Sequence, residues 1–212
     1  MSLKLENYIG ISMVSSNKKN LGRFEKSDEA DGIDDVRLWN ELKQGNIEAF
    51  EKLYKKYYKP LFLYGYKLST HREIAEDCVH ELFFKIWNRR DKLSTVHSVK
   101  PYLYKAYRSV VLDYIEYNSK RIETRNLPPG YDVEFSHEEF LINQDKTEEG
   151  SKKLNDVLNS LTKRQKEIIY LRFYKDLSYD EIADVIQIKN QTVRNCISEA
   201  FKDIRKKLAS LF

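Results

Sequence analysis

Glycine and proline are scarce in this chain, seven and four among 212 residues. So little turn-forming punctuation argues against a many-stranded sandwich or barrel, and the abundance of Lys, Glu, Leu, Ile and Tyr favours helices. The only two cysteines, Cys78 and Cys196, lie far apart and within helical patterns. A disulfide scaffold is thereby excluded, and two reduced thiols in a cytoplasmic protein are expected. No apolar run is long enough to cross a bilayer. The opening stretch contains YIGISMV, but it is short and followed by SSNKKN instead of a small-residue cleavage site, which argues against a signal peptide. Gly-rich phosphate loops, nucleophile elbows and convergent carboxylate pairs are also missing, so the chain is not expected to be an enzyme. His71, Cys78 and His80 are the nearest approach to a metal-binding group. On a helix, however, residues 78 and 80 point about 200° apart, and a closed zinc site needs four converging ligands. Neither a metal nor any other cofactor is expected.

Charge is what the chain has in quantity, and it is unevenly distributed. Residues 1–33 carry five basic and five acidic side chains, and 34–121 carry 17 and 12. The stretch 122–151 carries two and eight, and 152–212 carries 13 and eight. Two basic helical blocks thus flank an acidic segment containing Pro128, Pro129 and Gly130, which has the composition of a linker. Residues 1–33 have the composition of a mobile tail. The expected architecture is all-α: two small helical domains, 34–121 and 152–212, joined by a flexible acidic linker, 122–151. The two basic domains would share a polyanionic partner.

The most informative stretch is SYDEIADVIQIKNQTVRNCISEAFKDIR, residues 178–205. Ser178 is a good N-cap and Glu181 completes a capping-box pattern, so a helix starts there. Ile182, Val185 and Ile186 recur at helical spacing until the pattern stalls over 187–190. A second helix then places Val193, Ile197, Ala200, Phe201, Ile204 and Leu208 on one face and Gln191, Thr192, Arg194, Asn195, Ser198 and Lys202 on the other. Two helices joined by a four-residue turn, the second showing amides and a guanidinium near its start, suit a reader of the major groove. An αα-hairpin in an ordinary bundle would share the pattern.

In the first block, Leu38, Trp39 and Leu42 form one apolar stripe and Ala49, Phe50, Leu53, Tyr54 and Tyr57 the next, separated by a break at Gly45-Asn46. Pro60 is expected to open a further helix, LFLYGYKL. The segment REIAEDCVHELFFKIWNRR, residues 72–90, buries Ile74, Cys78, Leu82, Phe83 and Ile86 and leaves an acidic and aromatic face suited to a protein partner. After DKLSTVHSV comes a helix with Pro101 in its first turn. Its apolar side is built from Leu103, Tyr107, Val110, Val111 and Tyr114, and its other side carries Lys100, Tyr102, Lys105 and Arg108. Aromatics interleaved with cations suit single-stranded nucleic acid, where each stacked base contributes about 1 to 3 kcal/mol.

Four ordered segments, AFEKLYKKYYKPLFLYGYKL, AEDCVHELFFKIWNRR, SVKPYLYKAYRSVVLDYI and LNSLTKRQKEIIYLRFYKDLSYDEIADVIQIKNQTVRNCISEAFKDIRKKL, resemble the motifs of an extracytoplasmic-function sigma factor of the sigma-70 family, in the form expanded in Bacteroidetes. The resemblance implies a region 2 domain over 34–121 and a region 4 helix-turn-helix domain over 152–212. It implies that Asp77, His80, Glu81 and Phe84 dock on bacterial core RNA polymerase, with His80 standing where the family usually has Gln. Ser94, Thr95, His97 and Ser98 would hold a flipped base of the promoter −10 element, with Lys100, Lys105 and Arg108 near phosphates. At Ala106, Tyr107 and Ser109 the sequence departs from the family's usual Ile, Ala and Asn. Gln191, Thr192, Arg194, Asn195 and Ser198 would read the −35 element, with Arg172 and Lys189 on phosphates. The expected partners are core polymerase, promoter DNA and a membrane-anchored anti-sigma factor. The alternative is a stand-alone helix-turn-helix regulator with an N-terminal sensor or dimerisation domain, which predicts tight duplex binding without polymerase.

Overall fold

A computed structural model describes residues 34–121, 133, 135 and 148–209. Among the described residues there are helices and their connections and no strand. The expected N-terminal tail lies outside them, as does most of the expected linker. The first bundle comprises α1 (34–43), α2 (Ile47–Ser69), α3 (Arg72–Asn88), a 3₁₀ turn (Arg90–Lys92) and α4 (Val99–Arg121). The second comprises α5 (Glu148–Asn159), α6 (Lys163–Phe173), α7 (Tyr179–Ile186) and α8 (Asn190–Ala209). α5 thus begins inside the stretch expected to be linker.

The apolar stripes of the first block meet in one core. Leu38, Trp39 and Leu42 of α1 pack with Leu53, Leu61 and Leu68 of α2, Val79, Leu82 and Phe83 of α3, and Leu103, Tyr107 and Val111 of α4. Between α1 and α2, Gly45 takes φ +88°, a conformation open to glycine. Asn46 then caps α2 by accepting from the backbone N–H groups of Glu48 and Ala49. Asp35 is buried, but its carboxylate is satisfied by the Tyr57 hydroxyl at 2.5 Å and the Lys56 ammonium at 2.8 Å. Pro60 does not open a new helix: α2 runs unbroken through it. The lost N–H removes one rung of the ladder, while Leu53 and Tyr57 before it and Leu61, Tyr64 and Leu68 after it bury in the same core and hold the helix together.

The second bundle is built on two capping boxes. Thr162 and Gln165 start α6, and Ser178 and Glu181 start α7. Each exchanges two hydrogen bonds between otherwise orphaned helix-start groups, and losing such a cap costs about 1 kcal/mol. α7 ends at Gln187, whose φ of 61° turns the chain while the Ile188 N–H returns to the Ala183 carbonyl at 2.9 Å. The buried faces of α7 (Ile182, Val185, Ile186) and α8 (Val193, Ile197, Ala200, Ile204, Leu208) then close on Leu154, Leu158, Ile168 and Leu171.

Two described residues of the expected linker are buried, Val133 and Phe135. The Phe135 N–H donates to Asn159 Oδ1 at 2.8 Å, and Asn159 Nδ2 donates back to the Phe135 carbonyl at 3.0 Å. The Phe135 ring sits 5.6 Å from that of Tyr174, with Lys67 of α2 over its face. At this point the acidic stretch touches both bundles, Asn159 of the second and Lys67 of the first. The bundles also touch directly, α4 lying against α7.

Candidate nucleic-acid interface

One turn-by-turn stripe of α3 points away from the core. Asp77, His80, Glu81 and Phe84 are all exposed, Phe84 to 62% of its full surface. Their spacing of three and four residues places them on one helix face. Glu81 pairs with Lys85 at 3.0 Å, an exposed contact of little energetic weight. The His80 ring lies 6.5 Å from Tyr54 and 6.0 Å from Tyr58, and thus joins the exposed stripe to an aromatic row along α2. In that row Phe50, Tyr54, Tyr58, Phe62 and Tyr66 follow at every fourth residue with centroids 5.5 to 6.4 Å apart. Cys78, two residues from His80, is buried on the opposite side, where burial and the neighbouring Asp77 and Glu81 charges push its thiol up to about 12. Among the described residues no three His, Cys, Asp or Glu side chains form a group able to hold a metal ion.

The stretch 93–98 leaves α3 and enters α4 with Ser94, Thr95 and His97 exposed and Ser98 half-buried. It is pinned at one point, where Trp39 Nε1–H donates to the Ser94 carbonyl at 3.1 Å. The base-capturing candidates therefore face outward on an anchored loop. On α4, Lys100, Lys105 and Arg108 are half-buried. Tyr107 is a core residue: its hydroxyl passes over Gly65 of α2 to donate to the Ala75 carbonyl of α3 at 2.8 Å. The departure at 107 thus serves packing, whereas Ser109 is exposed. Tyr114, expected on the apolar side, is exposed; Leu103, Tyr104, Tyr107 and Val111 of α4 are buried.

Arg108 is turned into the contact between the bundles, whereas Lys105 is partly open to solvent. Arg108 Nε donates to Glu167 Oε1 at 2.7 Å and its Nη2 to Oε2 at 3.2 Å, with the Arg108 side chain 12% exposed and that of Glu167 fully covered. The Tyr64 hydroxyl donates to the same Oε1 at 2.6 Å. Burial first, and then the Glu167 charge, push the Tyr64 phenol well above its ordinary value. Lys105 faces Asp184 of α7 at 3.8 Å.

The helix-turn-helix presents its reader face openly: Lys189 in the turn and Gln191, Thr192, Arg194, Asn195 and Ser198 along the first half of α8 are exposed. Several of these side chains are held in place beforehand. Gln191 donates to Asn195 at 2.8 Å, Arg194 donates to Asn190 at 2.7 Å, and Asn190 donates to Asp180 at 2.5 Å. Arg172 donates to the Leu177 carbonyl at 3.0 Å, so it braces the turn before α7. Tyr179, which no periodicity marked, has Arg172 over its ring at 5.2 Å and Arg194 at 5.0 Å. Each contact is a cation–π interaction of about 0.5 to 1 kcal/mol at an exposed site.

Two family models match the chain in order: "Sigma-70 region 2" over residues 53–121 and "Sigma-70, region 4" over 157–206. The RNA polymerase sigma factor YlaC of Bacillus subtilis (strain 168) is 23% identical over 167 residues, covering 76% of this chain and 92% of that protein. The ECF RNA polymerase sigma factor SigX of the same strain is 22% identical over 167 residues, covering 77% and 86%. Among solved structures, the fold is similar to that of CnrH in complex with the cytosolic domain of CnrY, with a TM-score of 0.56 at 17% identity, covering 84% of this chain and 98% of that one. It is also similar to the sigma factor RpoE of Bartonella quintana in complex with the anti-sigma factor NepR, with a TM-score of 0.58 at 18% identity, covering 77% and 98%. Both regions in sequence, on one helical scaffold, disfavour a stand-alone regulator. Among the described residues no helix is long and apolar enough to cross a membrane.

Proposed function

Since this chain belongs to the sigma-70 family, as an extracytoplasmic-function sigma factor that directs promoter-specific transcription, we propose how its residues divide that work. The domain over 34–121 docks on core RNA polymerase through Asp77, His80, Glu81 and Phe84. It captures the unpaired −10 strand with Ser94, Thr95, His97 and Ser98, and Lys100, Lys105 and Arg108 steer phosphates. The domain over 152–212 reads −35 duplex through Gln191, Thr192, Arg194, Asn195 and Ser198, and Lys189 and Arg172 position it. Base contacts supply specificity and phosphate contacts supply register. The polymerase performs the chemistry, in the cytoplasm, and the factor lends it selectivity. A membrane-anchored anti-sigma factor restrains it; the anti-sigma factor bound to the structural relative RpoE supports restraint by such a partner.

The observation that carries the assignment is the open reader face of α8, five polar side chains exposed in the first half of the second helix of a helix-turn-helix. The docking stripe on α3 supplies the first test. Run-off transcription by bacterial core polymerase on DNA upstream of the chain's own gene should yield start-specific transcripts only when the protein is added. Asp77→Ala with Glu81→Ala should abolish them without altering the fold, because both side chains are exposed. Undiminished transcripts from the double variant would refute the docking assignment.

A further inference from the structure

One side chain on the reader face of α8 is held by groups from three helices. Asn190, the first residue of α8, turns its amide back across the turn. Its Nδ2 donates to the Asp180 carboxylate in the first turn of α7, and its Oδ1 accepts from Arg194 Nε at 2.7 Å. The Tyr179 ring lies 5.0 Å from the centre of the Arg194 guanidinium, and Arg172 of α6 lies 5.2 Å from the same ring. Arg172 also donates to the Leu177 carbonyl at 3.0 Å, which ties the ring to the turn before α7. Arg194 is exposed, yet its guanidinium is fixed both at one nitrogen and over a ring. Ordering a long side chain at the moment of binding weakens the contact it makes, and here much of that ordering is already done.

We propose that Arg194 reads one guanine of the −35 element and that Tyr179, Asn190 and Asp180 are positioning residues that set its fork. This rests on the −35 reading above. With Nε engaged by Asn190, Nη1 and Nη2 remain as a pair, and two N–H groups in one plane match the O6 and N7 of guanine in the major groove. A phosphate accepts the same fork from many directions and needs no fixed plane, whereas a base edge lies in one plane. Gln191 and Asn195 share the exposed face, so Arg194 stands among groups suited to base edges. Residues that touch no base thereby set how strongly one base is preferred.

The test uses the full chain with core polymerase and promoter DNA randomised across the −35 element, the bound fraction being separated and sequenced. The parent should prefer guanine at one position by about 5- to 150-fold, the discrimination of one bidentate pair. Arg194→Ala should erase that preference and leave the other positions as they were. Tyr179→Leu should lower the same preference about two- to fivefold, and Tyr179→Phe, which keeps the ring, should retain it. Asn190→Ala should lower it about two- to tenfold, and Asp180→Ala should act in the same direction. An equal loss at every position in Arg194→Ala would make the residue a phosphate contact and overturn the proposal. A guanine preference that survives Arg194→Ala, or an Arg194-dependent preference for another base, would overturn it as well. If only Arg194→Ala has an effect, the positioning role falls. Circular dichroism of every variant should match the parent, because these side chains are exposed or half-buried; loss of helix content would assign them to the fold and overturn the positioning role. A parent without base preference anywhere in the element would refute the −35 reading itself, an outcome distinct from all of these.

Discussion

Gly65 and Tyr107 offer the sharpest test of how the first domain is locked. A Cβ added at Gly65 would collide with the Tyr107 hydroxyl and lie 2.6 Å and 2.9 Å from two ring carbons, closer than real Cβ contacts come. The ring has no free space to retreat into, being fully buried and bonded to the Ala75 carbonyl. Overpacking of this kind costs about 1 to 3 kcal/mol. Breaking the hydrogen bond and leaving the buried Tyr107 hydroxyl unpaired adds about 1 to 3 kcal/mol. Replacing glycine by alanine inside a helix returns about 1 kcal/mol. Gly65→Ala should therefore destabilise the protein by about 1 to 5 kcal/mol, a large part of the usual stability of a domain. Tyr107→Ala alone should cost about 3 to 5 kcal/mol through the cavity it leaves. In that background, however, Gly65→Ala meets no ring and should be neutral or stabilising by up to about 1 kcal/mol. Urea unfolding of the four proteins, followed by circular dichroism, closes the cycle. An equal cost of Gly65→Ala in both backgrounds would refute the collision as its cause.

Tyr179→Leu keeps an apolar body but removes the ring on which Arg172 and Arg194 rest. Promoter affinity of the polymerase complex should fall about two- to fivefold per lost cation–π contact, read by titrating labelled promoter DNA. An unchanged affinity would mean that the ring does not orient Arg194. The buried Cys78 thiol makes stability pH-dependent at the alkaline end. Its folded value, about 12, lies above the ordinary 9.0, so the unfolded chain ionises first. The stabilisation is thus complete below pH 9 and declines from there toward about 12. Between those limits one thiol contributes a loss of about 1.4 kcal/mol per pH unit. Cys78→Ala should flatten that part of the urea-midpoint profile, and a profile identical to the parent's would sink the assignment.

Local chemistry was the part legible in the sequence. Ser178 with Glu181 marked the start of α7, the stalled periodicity after Ile186 marked the turn, and the spacing of Asp77, His80, Glu81 and Phe84 marked an exposed stripe. Each of these is written in residues a few positions apart. The Thr162–Gln165 box carried the same kind of signal and could have been found. Pro60 misled because a proline's local preference was overruled by the core on both sides of it. Glu167 carried no signal at all: it sits in a charged stretch, and its partners Tyr64 and Arg108 are 103 and 59 positions away. Tyr179 and Phe135 were likewise indistinguishable from other aromatics until the contacts of their rings were known.

The grip of Asn159 on Phe135 has a consequence for length. Whatever path the intervening residues take, a chain spans at most about 3.6 Å per residue. If Phe135 remains on the second domain, the tether from Arg121 to Val133 is about 12 steps and reaches about 40 Å. If Phe135 lets go, the tether from Arg121 to Glu148 is about 27 steps and reaches about 95 Å. Elements nominally 25 base pairs apart lie about 85 Å apart along B-form duplex. Two hydrogen bonds from a single amide therefore decide which of two contour lengths the protein works with, and so which promoter spacings it can measure.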